Sequence, residues 1–279
     1  MNNSSPKTVV LKFGSSLLTG GSEELDTEQM ATVARTLAGS GERNVVIVSS
    51  GAVAAGFRAA GYVMPPTRTA ERQAAAAIGQ GRLMKLWSDA FQEVGLTVGQ
   101  VLLTNDCLRD RRRYVAARGV LRELLQAGVI PIVNENDTVS VDEIMVGDND
   151  NLAAMTASLV DADLLALLTD VPGVYDRDPD VDSGAQIVSC ASSAQELRAL
   201  CFGKKQAVST GGMETKLEAA ERAGRYGVPT VIAAGNDPKV LETLLAGGVA
   251  GTRIEAHAEP LRARRHWMAV QKGLTGWLV

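Results

Sequence analysis

The feature that most constrains this chain is a short apolar run, Val129-Ile130-Pro131-Ile132-Val133, that opens without a break into Asn134-Glu135-Asn136-Asp137. A β-branched run of this length suits a strand buried on both faces of a parallel sheet. The residues after such a strand emerge at the carboxyl edge of the sheet, where open α/β sheets bind ligands. Between Asn134 and Asn151 stand Asn134, Glu135, Asn136, Asp137, Asp142, Glu143, Asp148, Asn149, Asp150 and Asn151, with no lysine or arginine among them. Thr138-Val139-Ser140-Val141 alternates as a hairpin arm would, and Gly147 supplies a turn into Asp148-Asn149-Asp150. From there Leu152, Met155, Thr156, Leu159 and Val160 repeat at helical spacing, so the second acidic cluster begins a helix. One N-cap explains one aspartate, not two clusters flanking a hairpin. Amides and carboxylates together suit a small polar ligand carrying an amine and a carboxylate. A metal site is the second reading, which ligand spacing alone does not decide.

Other strand candidates fall at Thr8–Phe13, Val45–Val48, Val98–Leu103, Leu164–Leu168 and Thr230–Ala234, with helical patterns between them. At 279 residues the chain is long enough for one large α/β domain or two unequal lobes. The first strand ends in Lys12 and leads to Gly14-Ser15-Ser16, which sets a cation beside exposed backbone amides and suits a phosphate. The second opens into Ser49-Ser50-Gly51-Ala52 and a run of small residues. Free amides at a helix start or close backbone packing explain that run equally well. Ser50 is the candidate substrate contact there.

Asp110 to Gln126 reads as a helix whose Arg111-Arg112-Arg113 is a solvated face, and Ile78, Leu83, Leu86, Trp87 and Phe91 read as core. Gly79-Gln80-Gly81 is no dinucleotide fingerprint, because Met84 replaces the third glycine and no strand precedes it. The acidic loop Asp176 to Asp182 lacks the glycine and glutamate of a calcium loop. The second informative stretch is Ser209-Thr210-Gly211-Gly212-Met213-Glu214-Thr215-Lys216, which leads into a helix. Glycines at a helix start allow close approach of nucleotide phosphates, and Lys216 adds a full charge. The Walker A spacing is absent from the chain.

Composition narrows the chemistry further. The charged fraction of 22% and net charge of −4 argue against a general nucleic-acid or membrane surface, and no apolar run approaches a membrane span. Cys107, Cys190 and Cys201 form neither a disulfide framework nor a zinc signature, which points to a reducing, cytoplasmic setting. The two histidines, His257 and His266, lie near the end, so a histidine triad or a histidine metal site is disfavoured. Chemistry here must rest on Lys, Asp, Asn, Ser and backbone amides.

Lys12-Phe13-Gly14-Ser15-Ser16, Ser49 to Ala52, Asn134 to Asp137, Gly147 to Asn151, Leu168-Thr169-Asp170 and Thr210 to Lys216 occur in the order of the amino acid kinase family. From about Lys7 to Trp267 the chain closely resembles the members of that family that phosphorylate L-glutamate. The resemblance implies an αβα sandwich around a mainly parallel open sheet. It also implies ATP with Mg²⁺ as cofactor and transfer of phosphate to the side-chain carboxylate of L-glutamate, the opening step of proline biosynthesis. By the same resemblance Lys12 and Lys216 neutralise phosphate, and Asp150 orients them. Ser50, Gly51, Asn134, Asp137, Asp148 and Asn149 would hold glutamate. Lys12, Gly14, Thr169, Asp170, Thr210, Gly211, Gly212, Met213, Glu214, Thr215 and Lys216 would hold the nucleotide, and no residue is assigned to a metal.

The implied kinase domain spans 1–260, with an amino acid part over about 1–165 and a nucleotide part over about 166–260. By the same resemblance residues 261–279 are expected to be a tail, without the C-terminal PUA domain that many members carry. Ser209 stands where the family commonly has glycine. Feedback inhibition by proline, a homo-oligomer and contact with the next enzyme of the pathway are further expectations. Acetylglutamate, aspartate, carbamate or UMP kinases of the same fold, and a non-catalytic nucleotide or amino acid sensor, are the alternatives. RNA binding is the weakest of them.

Overall fold

The computed structural model describes residues 5–104, 110–140, 148–179, 181–201 and 212–258. Along the chain run β1 (Thr8–Phe13), α1 (Ser15–Thr19), α2 (Thr27–Gly39), β2 (Asn44–Ser49), α3 (Ala52–Gly56) and α4 (Thr69–Gln92). Then come β3 (Thr97–Leu103), α5 (Arg111–Gln126), β4 (Val129–Glu135), α6 (Asp148–Leu159) and β5 (Leu164–Thr169). The last are β6 (Cys190–Ala191), α7 (Ala194–Cys201), α8 (Met213–Arg225), β7 (Thr230–Ala234), α9 (Pro238–Leu245) and β8 (Thr252–Ile254).

The strands form one sheet in the order β3-β4-β2-β1-β5-β7-β8-β6. All pairings are parallel except β7 with β8. Because side chains alternate along a strand, the apolar strands feed two cores at once. Val10, Val46, Val48, Val133 and Leu165 face the cluster built by α5, α6, α7 and α8. Val9, Leu11, Phe13, Ile47 and Ile132 face the cluster built by α1, α2, α4 and α9. The result is the expected αβα sandwich around a mainly parallel sheet. β1 and β5 are neighbours, yet the connection leaving β1 runs along one face and that leaving β5 along the other. Diverging connections open a crevice at the carboxyl ends of these two strands, the usual ligand position in such sheets.

α6 is buried on all sides, from Leu152, Ala153 and Ala154 through Thr156 to Leu159, so it lies within the sandwich and does not cover it. The small-residue run after β2 is close packing: a Cβ on Gly79 of α4 would fall on the carbonyl oxygen of Ala52, and one on Gly56 of α3 on that of Ala75. Among the residues read as core, Leu83, Trp87 and Phe91 are fully buried, whereas Ile78 is exposed on the outer side of α4. The alternating segment after β4 is no hairpin arm over its described part. The amides of Val139 and Ser140 both bond to Asn136 O, which makes it a turn. Val141 to Gly147, Thr210 and Gly211 of the expected nucleotide-binding stretch, and the C-terminal residues with His266 lie outside the described residues.

Candidate active site

Lys12 is the penultimate residue of β1 and lies on the same sheet face as Val10, toward α6 and α8. Asp150 is in the first turn of α6 and Lys216 in the first turn of α8, so two helix N-termini converge on the end of β1. Lys12 Nζ stands 2.6 Å from Asp150 Oδ1, and Lys216 Nζ 3.3 Å from Asp150 Oδ2. Thr215 Oγ1 donates to the same Oδ2 at 2.8 Å. All three charged groups are buried, Asp150 completely. Burial opposes ionisation of Asp150, but Lys12 and then Lys216 outweigh it and hold the carboxyl below its usual range. Burial also dominates at Lys12 and pulls its ammonium down, with Asp150 opposing and Lys216 adding to the effect. One carboxylate thus spaces two ammonium groups at the floor of an anion-favouring corner.

Beside this triad lies a cradle of neutral polar groups. Asn149 Nδ2 donates to Ser50 Oγ at 2.9 Å and to Asn134 Oδ1 at 3.0 Å. Asn134, the sixth residue of β4, donates in turn to Gln80 Oε1 at 2.8 Å. Ser50 is fixed from behind: its N–H bonds to Phe13 O, and its carbonyl accepts from Ser49 Oγ, which itself accepts from Trp87 Nε1 at 2.9 Å. Gly51 caps α3 with a φ of 108°, a conformation that costs a residue with a Cβ. Among the described residues Asn149 Oδ1 is buried without a partner, an acceptor available to a ligand donor.

The triad and the cradle line one cleft of about 900 Å³, within the range of small-molecule sites. Lys12, Gly14, Ser50, Gly51, Asn134 and Asp137 border it, as do Asn149, Asp150, Thr169, Asp170, Gly212, Met213 and Lys216. Thr215 reaches the site through Asp150. Glu214 instead turns to Arg198 of α7, 2.8 Å away, and is not part of the lining. Asp148 opens α6 but its side chain lies outside the description, as do Thr210 and Gly211. Gly14 precedes α1, whose first amide bonded within the helix is that of Leu18, so the turn before it offers its N–H groups toward the cleft.

Sequence reasoning missed Gln73, Gln80 and Arg72. Gln73 Nε2 donates to Ser140 O at 3.1 Å, while Gln80 supports Asn134. Two glutamines seven residues apart occupy one face of an otherwise alanine-rich helix, which was the available signal. Among the described residues no group of three carboxylate, imidazole or thiol side chains could hold a metal ion.

The profile of the amino acid kinase family matches residues 7–234. The chain is 47% identical to a glutamate 5-kinase of Thioalkalivibrio sulfidiphilus over 97% of its own length and 73% of the relative's. It is 45% identical to that of Syntrophotalea carbinolica, with 98% and 74% covered, and 43% identical to that of Sodalis glossinidius, with 96% and 73% covered. Among solved structures it resembles a T. acidophilum isopentenyl phosphate kinase, with a TM-score of 0.62 at 20% identity over 89% of this chain and 100% of that one. An aspartate kinase from Synechocystis gives 0.57 at 20% identity over 91% and 41%. These two carry the fold alone. The profile match and the identity to curated relatives over nearly its whole length establish that this chain belongs to the amino acid kinase family, in its glutamate 5-kinase branch.

Proposed function

We propose that the chain transfers the terminal phosphoryl group of ATP to the side-chain carboxylate of L-glutamate, giving L-glutamyl 5-phosphate for proline biosynthesis. The observation that carries this is the Asp150 carboxylate held between Lys12 and Lys216 at the floor of a cleft whose other wall carries the amides and hydroxyl of Asn134, Asn149 and Ser50 beside Asp137. Phosphoryl transfer asks for positioning and charge stabilisation more than covalent chemistry. A carboxylate acceptor is already ionised at neutral pH and needs no general base, which suits a cleft with no histidine among its described lining residues. The named relatives share this activity by their names.

In this reading residues 1–165 supply the acceptor side and 166–260 the nucleotide side. Ser50, Asn134, Asp137 and Asn149 hold glutamate, with Gly51 and Asp148 shaping the same wall. Thr169, Asp170 and residues 210–216 hold ATP, with Glu214 tied to Arg198. Mg²⁺ fits as a partner of the nucleotide, since it keeps much of its water and binds through phosphates plus one or two carboxylates. Asp170 is an exposed carboxylate on the nucleotide side, and Mg²⁺ would supply charge neutralisation of the triphosphate. Lys12 and Lys216 then stabilise the charge of the phosphoryl group in flight, while Asp150 keeps both ammoniums aimed.

Proline, smaller but of the same amine and carboxylate chemistry, occupies the same cradle as a feedback inhibitor. Saturating glutamate therefore relieves its inhibition, and inhibition indifferent to glutamate would remove this point. A homo-oligomer, a cytoplasmic setting and handing of the labile acyl phosphate to the next pathway enzyme belong to the same reading; light scattering with and without that enzyme tests assembly. The direct test of the acceptor is ADP release with L-glutamate beside aspartate, N-acetylglutamate, carbamate and UMP. Turnover with glutamate alone is expected. Turnover with another acceptor in its place overturns the assignment.

A further inference from the structure

We propose that Arg72 receives the α-carboxylate of the acceptor amino acid and so sets specificity for an acceptor with two carboxylates; the proposal rests on the glutamate reading of the cleft. Arg72 lies in the first turn of α4 and lines the cleft. That helix is tied along the acceptor wall at two points, Gln73 to Ser140 O and Gln80 to Asn134. Arg72 therefore borders the cradle and not the nucleotide side.

Its electrostatic state is the informative part. Among the described residues Arg72 Nε is buried with no hydrogen-bond partner, and its guanidinium is in no ion pair, the neighbouring pairs being Arg68 with Glu71 and Arg58 with Glu23. Of the other carboxylates near it, Glu135 accepts from Ser140 Oγ. The other two cations of the cleft, Lys12 and Lys216, share Asp150. A buried N–H without an acceptor is costly unless a ligand supplies one. Its complement is Asn149 Oδ1, an acceptor buried on the same cleft without a donor among the described residues. A free guanidinium donor and a free amide acceptor match the α-carboxylate and α-ammonium of one amino acid. With the lysines committed to the phosphoryl group, the second carboxylate of glutamate needs a cation of its own, and a planar guanidinium fork suits it.

The experiment compares L-glutamate with its α-amide, L-isoglutamine, which keeps the amine and the side-chain carboxylate and loses only the α-carboxylate charge. The unaltered protein is expected to prefer glutamate by about 100-fold in kcat/KM, the scale of a lost charge-assisted hydrogen bond. Arg72→Gln is expected to raise KM for glutamate by roughly 10- to 100-fold, leave KM for ATP within about twofold, and shrink the preference to about fivefold or less. Arg72→Lys, which keeps the charge, is expected to restore most of it. Equal use of the two acceptors by the unaltered protein overturns the proposal whatever the variants do. A glutamine variant with the full preference intact overturns it too, because a merely structural arginine would weaken both acceptors alike. Failure of the unaltered protein to turn over glutamate removes the underlying reading, and is distinguished by appearing before any substitution is made.

Discussion

Lys12 Nζ lies 2.6 Å from Asp150 Oδ1 across the interface between β1 and α6, with both side chains sealed from solvent. A pair buried this deeply contributes less than its Coulomb attraction, because desolvating both ions offsets much of the gain. Breaking it by removing one partner is different, since Lys12 and Lys216 would then face each other without a counter-charge. Asp150→Asn is accordingly expected to lower stability by about 3–5 kcal/mol in urea unfolding. It is also expected to reduce kcat by about 100- to 1000-fold, with KM for glutamate changed only a few-fold. A variant with normal kcat would take Asp150 out of the orienting role.

The same carboxylate gives the protein an acid limit. The folded pKa of Asp150 is held below its ordinary value of 3.8, so the stability it contributes is fully present above that value. It is lost as pH falls through the folded pKa. The stability difference between the unaltered protein and Asp150→Asn is therefore expected to stay constant from neutral pH down to about pH 4 and then to narrow. A difference that persisted undiminished to strongly acid pH would show that the substitution acts through packing and not through charge. Lys12 has the opposite profile: burial lowers its pKa below 10.5, so its cost is relieved as pH rises from the folded value toward the unfolded one.

Lys216→Ala is expected to cut kcat by two or more orders of magnitude while KM for glutamate moves little, because in the proposed function Lys216 meets the phosphoryl group and not the acceptor wall. Steady-state kinetics in both substrates reads this directly. An equal rise in KM for glutamate with unchanged kcat would place Lys216 in ground-state binding of the acceptor.

The crossing of α3 and α4 gives a test far from the charges. Gly79→Ala puts a methyl group against the Ala52 carbonyl, so the helices must separate. A loss of about 1–3 kcal/mol is expected. Because α3 begins just after Ser50, glutamate KM should rise with it, whereas Gly81→Ala, which meets nothing within 4 Å, should be neutral or slightly stabilising. Equal effects at both glycines would contradict close packing at this crossing.

Much of the fold was legible because the large parallel strands carry their signal locally. Thr8–Phe13 and Thr230–Ala234 keep the boundaries read from the sequence, and the acidic cluster at Asp148 does open a helix. The features that escaped depend on tertiary context. β6 has two residues and β8 three, too short for periodicity, and their pairing reverses the sheet direction only at its far edge. Thr138 to Ser140 alternates like a strand, but Asn136 O captures two amides and closes a turn first. Ile78 sits at a core spacing on α4 yet faces outward, since the Gly56 to Gly79 crossing fixes which side of that helix is buried. Arg72 was invisible for a different reason: its interest lies in a buried Nε without a hydrogen-bond partner among the described residues, which depends on tertiary context.

The position of the phosphoryl group in the product is the most direct test of glutamate side-chain phosphorylation in this cleft. ATP, Mg²⁺ and L-glutamate incubated with the protein and hydroxylamine are expected to give the side-chain hydroxamate of glutamate in step with ADP, and the Asp150→Asn variant should give almost none. ADP formed without any hydroxamate, or hydroxamate formed on the α-carboxylate, would contradict it.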